Sequence, residues 1–402
     1  MLVLVVFPWS KIRAQDASKQ RQQRKTFGFS LRKTKQDSTR SELDSANNVQ
    51  EVNDRKSGTD DDTIKTETVL AVFDFLVIDR SGKPVEDLKR EDLLVTEDNI
   101  QQDVALFTKG HDARNPRSII LILEWSNTAH YVENSLLAAQ TFIEQLAPQD
   151  KVAIVTSDIK LACDFTSDKN ELKAALRLLR EKVSRNSRES IPAELDLPRQ
   201  QFEFETLVAV LQELLEGPSR HIILFQADGG EALYLSDQSK KDNTFPTTAR
   251  RISLSDVLSA VTKSNATIYP IIPDYQYVGI PPAEQFDRAR HTLKDQVRYL
   301  PESQANLFLS SSKLRNIIHS ALTAQTVLMQ IGAVSGAWSS FLERPDQATY
   351  IYSRILADAN ERYILGYYVT DKRKDGRLRN VRIQVRGHPE YTVQGRKTYS
   401  IR

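Results

Sequence analysis

Oxygen-bearing side chains stand at the ends of two apolar runs that are far apart in the sequence. The run 118–123 leads directly into one carboxylate, and the run 221–226 leads into another within two residues. Continuous apolar runs are typical of buried strands in a parallel sheet, and open α/β sheets bind ligands at the carboxyl ends of such strands. Together with a threonine from the segment Glu205-Thr206-Leu207, these oxygens suit a hard divalent cation. The candidate metal ligands are Glu124, Ser126, Thr128, Thr206 and Asp228.

These residues resemble the von Willebrand factor type A domain, and in particular a bacterial, mostly acidobacterial, subgroup described only as VWFA-related. Members of the superfamily carry a metal-ion-dependent adhesion site written DxSxS, with a distant Thr and a later Asp. The matching residues here are Glu124-x-Ser126-x-Thr128, then Thr206, then Asp228 before Gly229. Thr128 keeps the hydroxyl of the expected serine. Glu124 replaces an aspartate, and its extra methylene moves the carboxylate by roughly one bond length in a site where magnesium demands near-ideal octahedral geometry.

The resemblance implies how such a site would work. Ser126, Thr128 and Thr206 would bind Mg²⁺ or Mn²⁺ through hydroxyl oxygens, and Glu124 and Asp228 would supply negative charge. Because magnesium is seldom caged fully by protein, a position stays open for the carboxylate of a protein or extracellular polymer partner.

Two further residues of this region are candidates for contact with the partner. Trp125 lies between the first two ligand positions and could anchor a partner, since Trp is enriched in binding hot spots. Gly229 is the second candidate. The alternative for Trp125 is that it packs over the edge of the sheet.

Each candidate ligand also has a purely structural interpretation. Ser126 and Thr128 could cap the helix that begins near Tyr131, which is a common role for hydroxyl residues. Asp228-Gly229-Gly230 could be a turn that ends a strand. The metal hypothesis therefore depends on the combination and order of these residues.

Motifs for catalysis are missing from the sequence. The six histidines lack the spacing of a zinc site, and the chain has neither a phosphate-binding G-x-x-x-x-G-K-[ST] loop nor a G-x-S-x-G elbow. Cys163 is the only cysteine, which excludes an internal disulfide and a zinc-thiolate site. We therefore predict no catalytic residues and a protein that is not an enzyme.

Charge and the N-terminal region bear on localisation. The 402 residues carry 55 Lys and Arg against 53 Asp and Glu, so no overall positive field favours nucleic acid. Residues 1–9 are apolar and lead to Ala14, which predicts a signal peptide at 1–14 and export to the periplasm, the cell surface or the medium. Residues 15–65 are highly charged and predict a disordered linker. No other segment is predicted to span a membrane.

The remaining sequence alternates strand and helix patterns, which predicts a doubly wound, mostly parallel α/β sheet. Strands are expected at 119–123, 152–156, 222–226 and 266–272, with 161–165 as a hairpin partner, and helices at 131–146, 169–183, 202–215, 254–264, 314–329 and 346–362. Residues 332–338 should form an edge strand or a turn. The polar segment 274–310 contains Pro281-Pro282 and is expected to be a surface insertion.

Strand patterns also flank this region on both sides. The predicted domains are an N-terminal β module at 66–110, a type A domain at 116–360 and C-terminal strands at 361–402 that join the N-terminal module in one sandwich. The turn from Asp79 to Val85 and the string Tyr363-Ile364-Leu365-Gly366-Tyr367-Tyr368 resemble the same bacterial subgroup.

Three functional hypotheses follow. The leading one is an exported, non-enzymatic protein that binds a protein or polymer through a degenerate metal-ion-dependent adhesion site. The second is a structural or assembly scaffold with a vestigial metal site, in which the insertion 274–310 makes the recognition surface. The third is an enzyme that activates water on a bound ion, with Glu124 as its base, and it has the least support.

Overall fold

The computed structural model describes residue 27 and residues 69–109, 117–125, 129–188, 202–215, 221–230, 232, 235, 252–297, 305, 309–371, 373 and 375–401. The predicted signal peptide lies outside these residues. So does the predicted linker apart from Phe27, which is buried in a hydrophobic cluster on the six-stranded sheet.

The elements are numbered along the chain. The strands are β1 Leu70–Ile78, β2 Leu93–Glu97, β3 Ile100–Gln101, β4 Val104–Lys109, β5 Ser118–Leu123, β6 Lys151–Thr156, β7 Lys160–Thr166, β8 His221–Gln226, β9 Ala266–Ile272, β10 Ser340–Phe341, β11 Tyr363–Tyr368, β12 Arg379–Val385, β13 Thr392–Gly395 and β14 Thr398–Tyr399. The helices are α1 Ala129–Gln145, α2 Lys169–Arg188, α3 Glu203–Glu213, α4 Leu254–Lys263, α5 Pro282–Val297, α6 Ser311–Ser335 and α7 Ala348–Glu361.

Six strands form the central sheet in the order β10-β9-β8-β5-β6-β7. All neighbours are parallel except β7, which pairs antiparallel with β6. Strands β8 and β9 are buried at every residue, as expected for a parallel sheet covered on both faces. The order follows the doubly wound pattern 3-2-1-4-5-6, so the strand order reverses beside β5. The predicted fold class is confirmed.

Helices cover both faces of this sheet. Successive side chains of β5 point to opposite faces, and each face belongs to its own hydrophobic cluster. Ile119, Leu121 and Leu123 belong to the cluster made with α1, α2 and α7. Ile120 and Ile122 belong to the cluster made with α3, α4 and α6. A strand with apolar side chains on both faces can bury itself only between two such layers.

Strands from both ends of the chain build the flanking β-sandwich. One sheet has the order β13-β1-β11-β4 and the other has the order β14-β12-β2-β3. Their inner faces share one hydrophobic cluster, in which Phe73 stacks on Tyr367 with ring centroids 5.8 Å apart. The predicted joining of N-terminal and C-terminal strands is therefore confirmed as part of the fold.

The structure corrects the sequence prediction after residue 314. Helix α6 continues to Ser335, past the predicted end at Met329, and Gly336 ends it in the left-handed conformation with φ 86°. The edge strand lies at Ser340–Phe341, later than predicted, and pairs with the end of β9. Residues 274–310 are expected to be an insertion, and within them the structure places helix α5, which packs against α6 through Leu293 and Leu314.

Helix α6 bears on the expectation that no further segment spans a membrane. It spans 25 residues and has the length and apolar composition of a membrane-crossing helix. In this fold its residues Ala324, Val327, Leu328 and Ile331 are buried against the central sheet. Their spacing of three and four residues is the buried stripe of a helix that packs on a protein core.

A buried ion network joins the sandwich to the central sheet. Arg362, which is fully buried, donates from Nε to Asp358 at 3.1 Å and lies 3.9 Å from Asp74 of β1. Thr267 of β9 donates to the same Asp74 carboxylate at 2.7 Å. Since charges this deep in a protein are stable only when paired, these contacts fix β1 relative to β9 and α7.

Candidate metal centre

The first carboxylate of the candidate site is placed by β5. Glu124 directly follows this strand and is fully buried. Strand β5 lies between β6 and β8, which is where the strand order reverses. In open α/β sheets the crevice at this reversal is the usual ligand site, so the topology places Glu124 where a ligand is expected.

The second carboxylate lies on the loop that follows β8. The backbone N–H of Asp228 donates to Glu124 Oε2 at 3.2 Å. The Asp228 carboxylate accepts a hydrogen bond from the N–H of Gly230 at 2.7 Å. The predicted pair Glu124 and Asp228 is thus brought together at the carboxyl ends of neighbouring strands.

A third carboxylate, Glu203, was not among the sequence candidates. It is the first residue of α3 and is fully buried, and its Oε2 accepts the N–H of Gly229 at 3.2 Å. The sequence does hold a signal for it, because Glu203 lies three residues before Thr206 and residues at that spacing share a face of a helix. A negative side chain in the first turn is also favoured by the helix dipole.

Together these three carboxylates have the spacing of a possible cation site. Glu124, Glu203 and Asp228 each offer an oxygen, and the three oxygens lie within 4.8 Å of one another. Opposed ligands of one ion are about 4.2 Å apart for magnesium and about 4.8 Å apart for calcium. Carboxylate oxygens are the ligands that both ions prefer. The residues present therefore fit a divalent cation, which would offset the mutual repulsion of three negative charges.

Thr206 has a different place from the one predicted. It is fully buried in the first turn of α3, and its hydroxyl donates to the carbonyl of Ser157 at 3.0 Å and accepts the N–H of Ile159 at 3.2 Å. Ile159 has a φ of 58°, which is costly for a β-branched residue. The observed contacts of Thr206 thus hold the turn between β6 and β7, and its role as a metal ligand remains a prediction.

Ser157, whose carbonyl binds Thr206, also binds the loop after β5. Its hydroxyl accepts the N–H of Trp125 at 2.8 Å, and its own N–H donates to the carbonyl of Leu123 at 3.0 Å. The peptide units on both sides of Glu124 are therefore bound to one serine. Ser157 was not among the sequence candidates, and it carries no motif that would have marked it.

The remaining predicted residues have varied positions. Ser126 and Thr128 lie outside the described residues. Trp125 is half-buried and packs against the cluster beneath α1, α2 and α7. Gly229 is buried under α6. A partner-binding role for Trp125 and Gly229 remains a prediction.

Cys163 does not add chemistry to this site. It lies on β7 and is buried, and burial raises the pKa of its thiol to about 11. A thiol with so high a pKa carries little of the nucleophilic thiolate at neutral pH.

Comparisons with known proteins add a likeness in structure and none in sequence. No protein-family model matches the chain, and no curated protein matches it. Among solved structures, the chain is similar to the vWF domain of the type V pili tip protein Mfa5 from Porphyromonas gingivalis, at 10% identity and a TM-score of 0.34. This likeness covers 61% of the present chain and 95% of the pilus protein domain. The narrower acidobacterial subgroup has no support from these comparisons.

Proposed function

We propose that this chain is a non-enzymatic, exported binding protein whose central α/β domain captures a protein or polymer through a divalent cation. The observation that supports this most is the gathering of Glu124, Glu203 and Asp228 at the reversal point of the sheet. An ion held there would keep positions for water or for a carboxylate of the partner. Ligation of this kind needs no nucleophile or oriented base.

Titration calorimetry on protein stripped by a chelator tests the ion. Manganese, magnesium and calcium should each be offered, and at least one should bind at a single site. The variant Glu203→Gln should weaken that binding at least tenfold, because a neutral amide oxygen replaces a charged ligand. The matched control is Glu213→Gln, which makes the same change at the other end of α3, about 15 Å away.

Partner capture requires a second measurement. The double variant Ser126→Ala, Asp228→Ala should abolish binding to immobilised acidic protein or polysaccharide in the presence of the ion. Equal retention of wild-type and variant chains would count against the proposal. Export is tested separately by fractionating cells that express the full chain.

A scaffold with a vestigial metal site is the second candidate, and one observation favours it. Glu124 and Glu203 each use a carboxylate oxygen to accept a backbone N–H of the loop after β8. Two glutamates that serve only to fix this loop would need no ion. In that case the calorimetry shows no binding, and removal of residues 281–298 from the predicted insertion abolishes recognition of the partner.

A further inference from the structure

A cavity of about 270 Å³ lies between the sandwich and the amino-terminal ends of β8 and β9, at the opposite end of the central sheet from the carboxylates. Its lining includes Leu70, Val72, Leu211, Lys263, Asn265 and Ile401. Five consecutive residues of the chain, 69–73, line it. Side chains of a strand alternate between its two faces, so an unbroken run of lining residues means that the cavity lies along the edge of β1.

The pairing of β1 explains why this edge is open. Strand β11 pairs with residues 70–75 of β1 on one side. On the other side, β13 pairs only with residues 75–78. Within the described residues, no strand therefore pairs with the first half of β1 on the side of β13.

The direction of the backbone groups follows from one hydrogen bond. The carbonyl of Val69 accepts the N–H of Val369, which continues β11. Since backbone groups alternate in direction along a strand, those of residues 69, 71 and 73 point to β11. The N–H and C=O groups of Leu70 and Val72 then point to the cavity, where they offer donors and acceptors to another strand.

The walls of the cavity are held in place by polar contacts. Arg396, just after β13, donates to Asn265 at 3.2 Å and to the carbonyl of Ala266 at 3.4 Å. Thr267 of β9 donates to Asp74 of β1. An incoming strand would thus meet a preformed groove and would not have to order it, which favours binding.

Size and charge indicate the occupant. The volume lies just below the range of about 300–1,000 Å³ typical of small-molecule sites, so a short piece of main chain suits it better than a cofactor. Among the described residues, the side chains that line it include the exposed cation Lys263 and no aspartate or glutamate. We propose that this groove binds an extended peptide segment of another protein, which adds a strand to β1 in line with β13 and places a carboxylate beside Lys263.

The test uses the full chain and a fluorescein-labelled peptide of alternating threonine and valine that ends in a glutamate with a free carboxyl group. Fluorescence anisotropy should show saturable binding, and the same peptide with alternate amides N-methylated should not bind, because it lacks the donors that a strand must supply. Both measurements are made in excess chelator. Loss of the cation site would therefore leave this result unchanged, and the two proposals can fail separately.

Variants locate the binding on the protein. Lys263→Glu should weaken the peptide about tenfold, whereas Lys182→Glu, the same change at an exposed lysine of α2, should not. Val72→Pro removes an N–H that points to the groove and leaves the ladder to β11 intact, so it should abolish binding while the circular dichroism is unchanged.

Hydrogen exchange decides what fills the groove. The amides of Leu70 and Val72 should exchange quickly in the free protein and become protected when the peptide is added. Protection of both amides in the free protein would mean that the chain itself or a second copy covers the edge, and this would overturn the proposal. Equal affinity for the normal and the N-methylated peptide, or no binding at all, would also overturn it.

Discussion

Gly229 lies where the loop after β8 packs against α6. A Cβ atom built on this residue would lie 3.0 Å from both Ala324 Cβ and Leu328 Cδ1, and its φ is 72°. Gly229→Ala should therefore lower the free energy of unfolding by about 2–4 kcal/mol, from backbone strain and overpacking together. The control is Gly82→Ala, whose φ is 81° with no atom near the added methyl group, and which should cost only about 1–2 kcal/mol. Urea denaturation measures both, and equal losses would show that packing under α6 is not tight.

The hydroxyl of Thr206 matters because it supports the strained turn at Ile159. Thr206→Val keeps the shape of the side chain but removes both hydrogen bonds to the turn, so it should destabilise the fold by about 1–3 kcal/mol. Thr206→Ser keeps the hydroxyl and should lose much less. Thermal unfolding followed by circular dichroism compares the two variants. If valine and serine cost the same, the hydroxyl does not hold the turn.

Some site residues could be placed from the sequence and others could not. The proximity of Glu124 and Asp228 could be predicted, because each follows an apolar run and the carboxyl ends of parallel strands lie at one edge of the sheet. Glu203 could not be placed in the same way, since its approach depends on how α3 packs over the sheet. Thr206 matched a motif position, yet its observed contacts are with a turn whose conformation no sequence pattern revealed.

Among the elements, β1 depends on two strands that lie between 288 and 320 residues further along the chain. It pairs with β11 and β13, and β2 pairs with β12. A fragment of residues 66–110 should therefore be unfolded in isolation, because its strands would lose most of their partners. Proton NMR of this fragment should show the narrow amide dispersion of an unfolded chain. A folded spectrum would mean that the N-terminal strands form a unit of their own.

Helix α6 shows why element boundaries were harder to predict than element types. Its apolar spacing predicts a helix, but the sequence also predicts an edge strand or turn that starts at Gly332. In the structure a Cβ at Gly332 would lie 3.0 Å from the ring of Pro270, so this glycine allows close packing inside the helix. Gly336, which has positive φ, is the residue that ends it. Sequence alone did not distinguish these two uses of glycine.

At the level of the whole molecule, the ion network around Arg362 links the two folded parts. The variant Arg362→Met leaves the buried Asp358 and the half-buried Asp74 without this cation and should cost about 3–5 kcal/mol. The wild-type chain should unfold in one transition, whether followed by tryptophan fluorescence, which reports on the central sheet through Trp125 and Trp338, or by pulse-labelled hydrogen exchange of the sandwich amides.

In the Arg362 variant these two signals should separate into two transitions, with the sandwich and the α/β domain melting independently. Lys160→Met, which removes an exposed cation from a surface ion pair with Asp158, is the control and should change stability by less than about 1 kcal/mol. Coincident transitions in the Arg362 variant would show that other contacts join the two parts.

The register between β4 and β11 determines which part of the chain bears a pulling force first. Lys109 at the end of β4 lies opposite Tyr363 at the start of β11, so the segment 110–362 leaves and returns to the sandwich at points about 5 Å apart. The whole α/β domain thus takes the place of a hairpin turn. A pull applied at Val69 and Ile401 would load the sandwich strands first, and no tension would reach the carboxylate cluster along the chain until β4 and β11 had separated.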